Sequence, residues 1–500
     1  MIAETRVDLA QDFEELLFLA RSGKQSLEKF LKDLRRHPEF VQDHIRPLLF
    51  ETGKGYEKRY QEIESGLRRE LRRKHDGQDT SSLIQKKCRT MHELRALAGL
   101  RGALLCSADW QSPSFMHALF SEAGMQTGKI TGTINDYKRD QNLDAAGYEE
   151  RFVKEYIEAP LHLTPHAYAT SSGMAAFTTV VNYLVQTGAI TSPVLVGRES
   201  YFENKGILRK TFSGLMHFVD EMDTDAVLRA VEEHAPAAIF LDTICNTERV
   251  AAPDFSALIP RLAKAVKRPT FIVLDNSAAG VMYQPLQDFP VLFTNLRLIV
   301  VESLNKFYQF GFDRVTGGII WSVGPYVSGL FSARVHLGTN LPDASARALA
   351  EPNKGLLVKR LGRISRNAEM LAHTLDKHLE TQTNSPLSHV VYPGLPAHPA
   401  YAWMGTRPFK GAFFVLVWKP GQQTVEQYKK FLRLAIEEAK RAHVPLIAGT
   451  SFGFNTTRVY LTALHAEQDT NPFIRISPGT ETIEEIHALA EIFKKAINRL

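Results

Sequence analysis

Several short segments of the chain carry residue types that could do chemistry. The first is Glu302-Ser303-Leu304-Asn305-Lys306-Phe307, directly behind the apolar run RLIVV. A lysine buried there among other polar groups can lose its proton and act as a nucleophilic amine. Most lysines are surface residues, and the preceding buried run is what sets Lys306 apart. The second is Asp275, which ends TFIVLD and precedes Asn276. A carboxylate at the end of a buried strand is costly to desolvate without a partner, and a protonated pyridine nitrogen is one such partner. Capping the next helix or turn is the commoner use of aspartate at this place. The third is Ser171-Ser172-Gly173-Met174-Ala175-Ala176, which opens an apolar helical run to about Tyr183. Small residues at a helix start leave N–H groups converging at the positive end of the helix dipole, an arrangement that holds a phosphate. A plain serine N-cap before a glycine reads the same way. The fourth is Arg475 in FIRISPG. It is either a bidentate grip on a carboxylate or an edge-strand arginine facing water.

Those residues need elements to hold them. PVLVG (193–197), AAIFLD (237–242), TFIVLD (270–275) and RLIVVES (297–303) read as buried parallel strands. The segments between them, such as 223–235 and 255–267, have helical periodicity. This alternation predicts an α/β fold, a mainly parallel sheet with helices on both faces and ligands at the carboxyl ends of its strands. GAFFVLVW (411–418), RVYLTAL (458–464) and a terminal helix predict a smaller α/β domain. Residues 1–125 have helical spacing and few strand signals, so the expected organisation is a helical extension (1–125), a large domain (126–370) and a small domain (371–500). The basic run 66–75 in the extension reads first as a solvated helix face, with an acidic partner or RNA as the alternative. Apolar residues at 44%, charged residues at 23% and a formal charge of +5 describe an ordinary globular protein and give no argument for nucleic acid. Cys88, Cys106 and Cys245 lack the spacing of a zinc site or a disulfide framework, so no metal is expected. The acidic start is unlike a signal peptide, and no apolar run reaches the roughly 20 residues that span a bilayer; the expected location is the cytoplasm.

From Tyr137 to its end the chain resembles the cystathionine γ-synthase-like branch of fold-type I pyridoxal-phosphate (PLP) enzymes, the Cys/Met-metabolism family. Ser172-Gly173-Met174 resembles the family's SGMAA phosphate loop. Tyr201, in ESYFENK, is similar to the tyrosine that stacks on the cofactor ring. Asn246, in LDTICNT, is similar to the asparagine that approaches the ring hydroxyl. Asp275 resembles the aspartate that pairs with the ring nitrogen. Lys306 occupies the lysine of the SxTK segment, which carries the cofactor as a Schiff base, and DRVTGG (313–318) follows it as DVxGG does. Tyr137 and Arg139 have the spacing of a Tyr/Arg pair that reaches the phosphate of the neighbouring subunit. Ser451 and Arg475 resemble the serine and arginine that hold the substrate's α-carboxylate.

The sequence also departs from the family pattern. Asn305 stands at a phosphate-binding threonine, while Ser303 is retained. Leu143 replaces a proline, DRVTGG has an extra residue before its glycines, and SPGTE has an inserted proline. Glu203 stands where family members keep a small residue or cysteine, so it is expected to face the substrate side chain and alter specificity. The resemblance implies a homo-oligomer, a dimer or dimer of dimers with shared active sites. It implies an amino-acid substrate and β/γ-elimination or γ-replacement, with Lys306 as base and Tyr201 assisting proton transfer. An aminotransferase or aldol-type enzyme uses the same frame, and a scaffold whose function lies in the helical extension is a further alternative.

Overall fold

A computed structural model describes residues 2–36, 41, 43–73, 79–107, 110–111, 130–131, 143–289, 295–464 and 471–500. Tyr137 and Arg139 lie outside these residues.

Strands β1 (Trp110–Gln111) and β2 (Ile130–Thr131) pair antiparallel. The larger sheet is built from strands β3 (His166–Thr170), β4 (Val194–Gly197), β5 (Met216–Val219), β6 (Ala238–Asp242), β7 (Thr270–Asp275), β8 (Leu296–Ser303) and β9 (Gly318–Ser322). They lie in the order β3-β9-β8-β7-β6-β4-β5. The strands from β4 to β8 are parallel, and β9 is inserted antiparallel between β8 and β3. Side chains alternate between two cores, as the period of a strand requires. Leu298 and Val300 of β8 face one core, while Ile299 and Val301 face the other. Burial on both faces explains why these strands read as unbroken apolar runs.

The second sheet has the order β10-β11-β14-β13-β12, from β10 (Leu387–Val391), β11 (Phe414–Trp418), β12 (Ile447–Ala448), β13 (Arg458–Thr462) and β14 (Phe473–Ser477). The terminal helix Ile483–Asn498 packs on it and begins with a capping box, Thr482 with Glu485. Helix Lys354–Glu380 joins the two bodies. Its Leu357, Leu361 and Ile364 belong to the first core, and its Ala368, Leu371, Leu375 and Leu379 to the second.

Helices Ile2–Arg36, Arg46–Arg72 and Thr80–Leu105 form the N-terminal unit. Phe13, Leu16, Leu27 and Leu31 lie on a helical stripe and enter the same apolar core as β7 and β8. The basic run ends helix Arg46–Arg72, where Arg68 pairs with Glu64 and Arg73 with Glu70. Buried acids on the first helix meet cations of the body and of helix Thr80–Leu105. Asp12 pairs with Arg363 and Lys87, Glu15 with Arg360, and Asp8 with Arg366.

Candidate active site

The carboxyl ends of β6, β7 and β8 open into a cavity of about 280 Å³. Its walls carry Ser172, Gly173, Met174, Tyr201, Asn246, Asp275, Ser303, Asn305, Lys306, Ser451 and Arg475, residues more than 300 positions apart that the fold brings together.

Helix Gly173–Gln186 points its N-terminus into this cavity. Ser172 is its N-cap, the Oγ accepting from the Ala175 N–H at 2.9 Å, so the hydroxyl hydrogen is still available to donate. The first-turn N–H groups of Gly173 and Met174 have no helical acceptor. Gly173 lies so near β8 that a Cβ there would meet Ser303 Cβ at 3.0 Å. Gly318 leaves no room for a Cβ against the Ser172 carbonyl. Asn305 Oδ1 accepts from the Gly317 N–H at 2.8 Å, tying the loop down and leaving its NH₂ end as a donor. Amides, hydroxyls and a carboxamide thus surround one end of the cavity, and these donors fit a phosphate.

At the other end, Asp275 accepts from the Ser277 N–H at 3.0 Å and from Asn204 Nδ2 at 3.2 Å. Among the described residues no cation lies within ion-pair distance of it, so a protonated ring nitrogen fits this carboxylate. Asp242 is in register beside it on β6 and accepts from the Tyr201 N–H at 3.0 Å. Burial, with the Asp275 charge second, pushes the Asp242 carboxyl well above its ordinary range. Burial pulls the Lys306 amine down, against the attraction of Asp275, towards the neutral form a nucleophile or base needs. Its Nζ stands 5.2 Å from the Phe452 ring centroid.

Arg475 is on β14, the middle strand of its sheet, and is only 3% exposed, which removes the edge-strand alternative. Its Nη1 donates to Asn246 Oδ1 at 2.7 Å and its Nη2 to the Ser451 carbonyl at 3.1 Å. Its Nε has no partner among the described residues. No carboxylate among the described residues pairs with it, and burial lowers it to about 10. Asn246 therefore orients an arginine, and Ser451 holds it through backbone oxygen in a left-handed conformation, φ +71°.

Glu203 is exposed at the mouth, on an adjoining chamber of about 640 Å³ that shares Met174, Tyr201, Asn246 and Thr450 with the main cavity. Its carboxylate accepts from the Tyr201 hydroxyl. Burial, then Glu203, raises that phenol. Asp242 and Glu302 on the wall have no role in the sequence reading, although Asp242 ends β6 and Glu302 is next to the end of β8. Glu302 is buried under the cavity, accepts from Trp321 Nε1 at 2.8 Å and from the Tyr308 hydroxyl, and is raised to about 7 by burial. Among the described residues no cluster of acidic, His or Cys side chains is placed to hold a metal, and no helix is long and apolar enough to cross a membrane.

Comparison with known proteins matches residues 110–494 to the family described as Cys/Met metabolism PLP-dependent enzyme. The bifunctional enzyme flvA of Aspergillus flavus is 26% identical over 73% of this chain, which spans 43% of that protein. Methionine gamma-lyase of Arabidopsis thaliana is 24% identical over 66% of this chain and 73% of its own. Among solved structures, metB from Corynebacterium glutamicum covers 73% of this chain and 88% of its own, at a TM-score of 0.57 and 22% identity. Cystathionine gamma-lyase from Lactobacillus plantarum, complexed with L-serine, covers 77% and 94% at 0.57 and 20%. These likenesses establish the fold expected from the sequence, fold type I.

Proposed function

Because this chain belongs to the Cys/Met metabolism PLP-dependent enzyme family, we propose that it eliminates or replaces a side-chain group at Cβ or Cγ of an amino acid. The observation that carries this reading is Arg475, a buried guanidinium without a carboxylate, aimed into the cavity that also holds Lys306 and Asp275. A buried cation of this kind calls for an anion, and the α-carboxylate of an amino acid matches its fork.

Gly173, Met174, Ser172, Ser303 and Asn305 would hold the phosphate of PLP, and Asp275 would keep its pyridine nitrogen protonated. When bound, the cofactor supplies an electron sink for the charge left at Cα. Tyr201, on the cavity wall, would stack on the cofactor ring and assist proton transfer. Arg475, oriented by Asn246 and the Ser451 carbonyl, fixes the substrate carboxylate and so points the Cα–H bond. Lys306, its amine pulled down by burial, takes the α-proton at Nζ and delivers it where the leaving group departs. Glu203, beside the Tyr201 hydroxyl, meets the far end of the substrate side chain. Tyr137 and Arg139 serve the phosphate site of a neighbouring subunit in a homo-oligomer. The free cysteines suit a reducing compartment, the cytoplasm.

Amino acids bearing β- or γ-leaving groups, supplied one at a time with product analysis, test the reading. The expected result is release of the leaving group, with a keto acid or a substituted amino acid formed. Transamination or Cα–C cleavage alone overturns it.

A further inference from the structure

The N-terminal unit touches the active site from behind, at two turns. The first follows Lys306. Phe310 and Asp313 there have positive φ, +51° and +45°. The second is 451–455, where Ser451 has φ +71° and Gly453 +88°. Non-glycine residues in this region persist only when their surroundings hold them. The two turns back onto each other, since a Cβ on Gly453 would meet the Lys306 carbonyl at 2.6 Å, and Gly311 leaves no space for a Cβ against Asn455 and Arg360.

Arg360 stands where they meet and is 1% exposed. Its Nη2 donates to the Gly453 carbonyl at 3.1 Å and to Asn455 Oδ1, while its Nη1 donates to Glu15 Oε1 at 2.7 Å. Helix Thr80–Leu105 grips the same region. Arg95 donates to the carbonyls of Phe312 and Asp313, and Asn455 Nδ2 meets Met91 Sδ. Phe18 of the first helix lies 6.1 Å from the Phe310 ring.

We propose that the N-terminal unit is part of the carboxylate-binding apparatus: Glu15, acting through Arg360, is a positioning residue that fixes the 451–455 turn and hence the Ser451 carbonyl on which Arg475 rests. The proposal depends on the reading of Arg475 given above. Without the Glu15 charge, Arg360 is a buried cation lacking its carboxylate, and its hold on Gly453 and Asn455 is the contact free to change. Asp8 and Arg366 tie the same helix to the body without touching the turn, so Arg366→Ala is a matched lesion.

The test uses the full-length holoenzyme and two unreactive probes, L-norleucine and pentylamine, which differ only in the carboxylate. Calorimetry gives the ratio of their affinities, and thermal melts give stability. Glu15→Gln is expected to lower that ratio about tenfold, the loss from one misaligned charge-assisted pair, with pentylamine binding unchanged. Arg366→Ala lowers Tm and keeps the wild-type ratio. Should Glu15→Gln fail to fold, Asn455→Ala cuts the same linkage from the turn side and is expected to shift the ratio likewise. A wild-type ratio in the foldable variant overturns the proposal, provided Arg475→Met has abolished the discrimination. If Arg475→Met retains it, the reading of Arg475 itself falls.

Discussion

Arg363 and Arg475 are equally deep, 4% and 3% exposed, yet they are shifted in opposite directions. Burial lowers both. At Arg363, in the joint between the N-terminal unit and the body, Asp12 and Asp8 outweigh burial and raise it. At Arg475 burial prevails and brings it to about 10. The joint answers its buried charges with carboxylates, and the cavity leaves them unanswered. A charge satisfied within the chain serves architecture; one left over serves a ligand.

The strongest way to break this contrast is at Lys306. Lys306→Ala is expected to lower turnover by about 10⁴-fold, the upper range for a lost general base, with Tm no lower than wild type, since among the described residues no ion pair goes with it. Turnover within tenfold of wild type removes Lys306 from the chemistry. The next effect compares the arginines directly. Arg363→Met takes the bidentate partner from Asp12, leaving it Lys87 alone, and is expected to cost about 3 kcal/mol of stability in denaturant titrations, the low end for a broken buried pair. Arg475→Met is expected to leave stability equal or higher, while amino-acid KM rises about 10²-fold. Equal destabilisation by the two would erase the distinction.

The smallest effect sharpens the rule for acids. Glu302 is raised from 4.5 to about 7 by burial, with Tyr308, Trp321 and Asn276 as partners and no ion-paired cation among the described residues. The folded state therefore holds its proton more tightly than the unfolded state. Its stabilising contribution is full below pH 4.5 and is lost as pH rises through about 7. The loss is about 3 kcal/mol from a shift of this size. Glu302→Gln, fixed in a neutral form, should flatten part of the fall in stability between pH 5 and 8. The other buried carboxyls that are raised, Glu221, Asp242 and Glu481 among them, keep the rest. An unchanged slope would clear Glu302.

Much of this was legible in the sequence for local reasons. The strands β4, β6, β7 and β8 announce themselves because both faces are buried, and Asp275 and Lys306 stand out because they follow such runs. Strand β5 did not, since its MHFV is half solvated and reads as neither period. Whether Arg475 faces water or the cavity depends on β14 being central, a property of strand order that no local window contains. The partnership of Asn246 with Arg475 spans 229 residues, and that of Glu15 with Arg360 spans 345. Spacing along the chain carries no trace of either. Motif resemblance gathered the cavity residues into one set, but it stops short of the N-terminal unit and so is silent on what that unit holds.

The reach of the first helix also bears on how the chain folds. Asp8 accepts from the Ile483 N–H across 475 residues. In synthesis this helix precedes that partner by 475 residues, so its stripe can pack early against helices Arg46–Arg72 and Thr80–Leu105, while Asp8 waits. Closing so distant a contact is slow, and helices exposed meanwhile invite association with other chains. The joint between the first helix and the body is therefore made late, long after the helix itself.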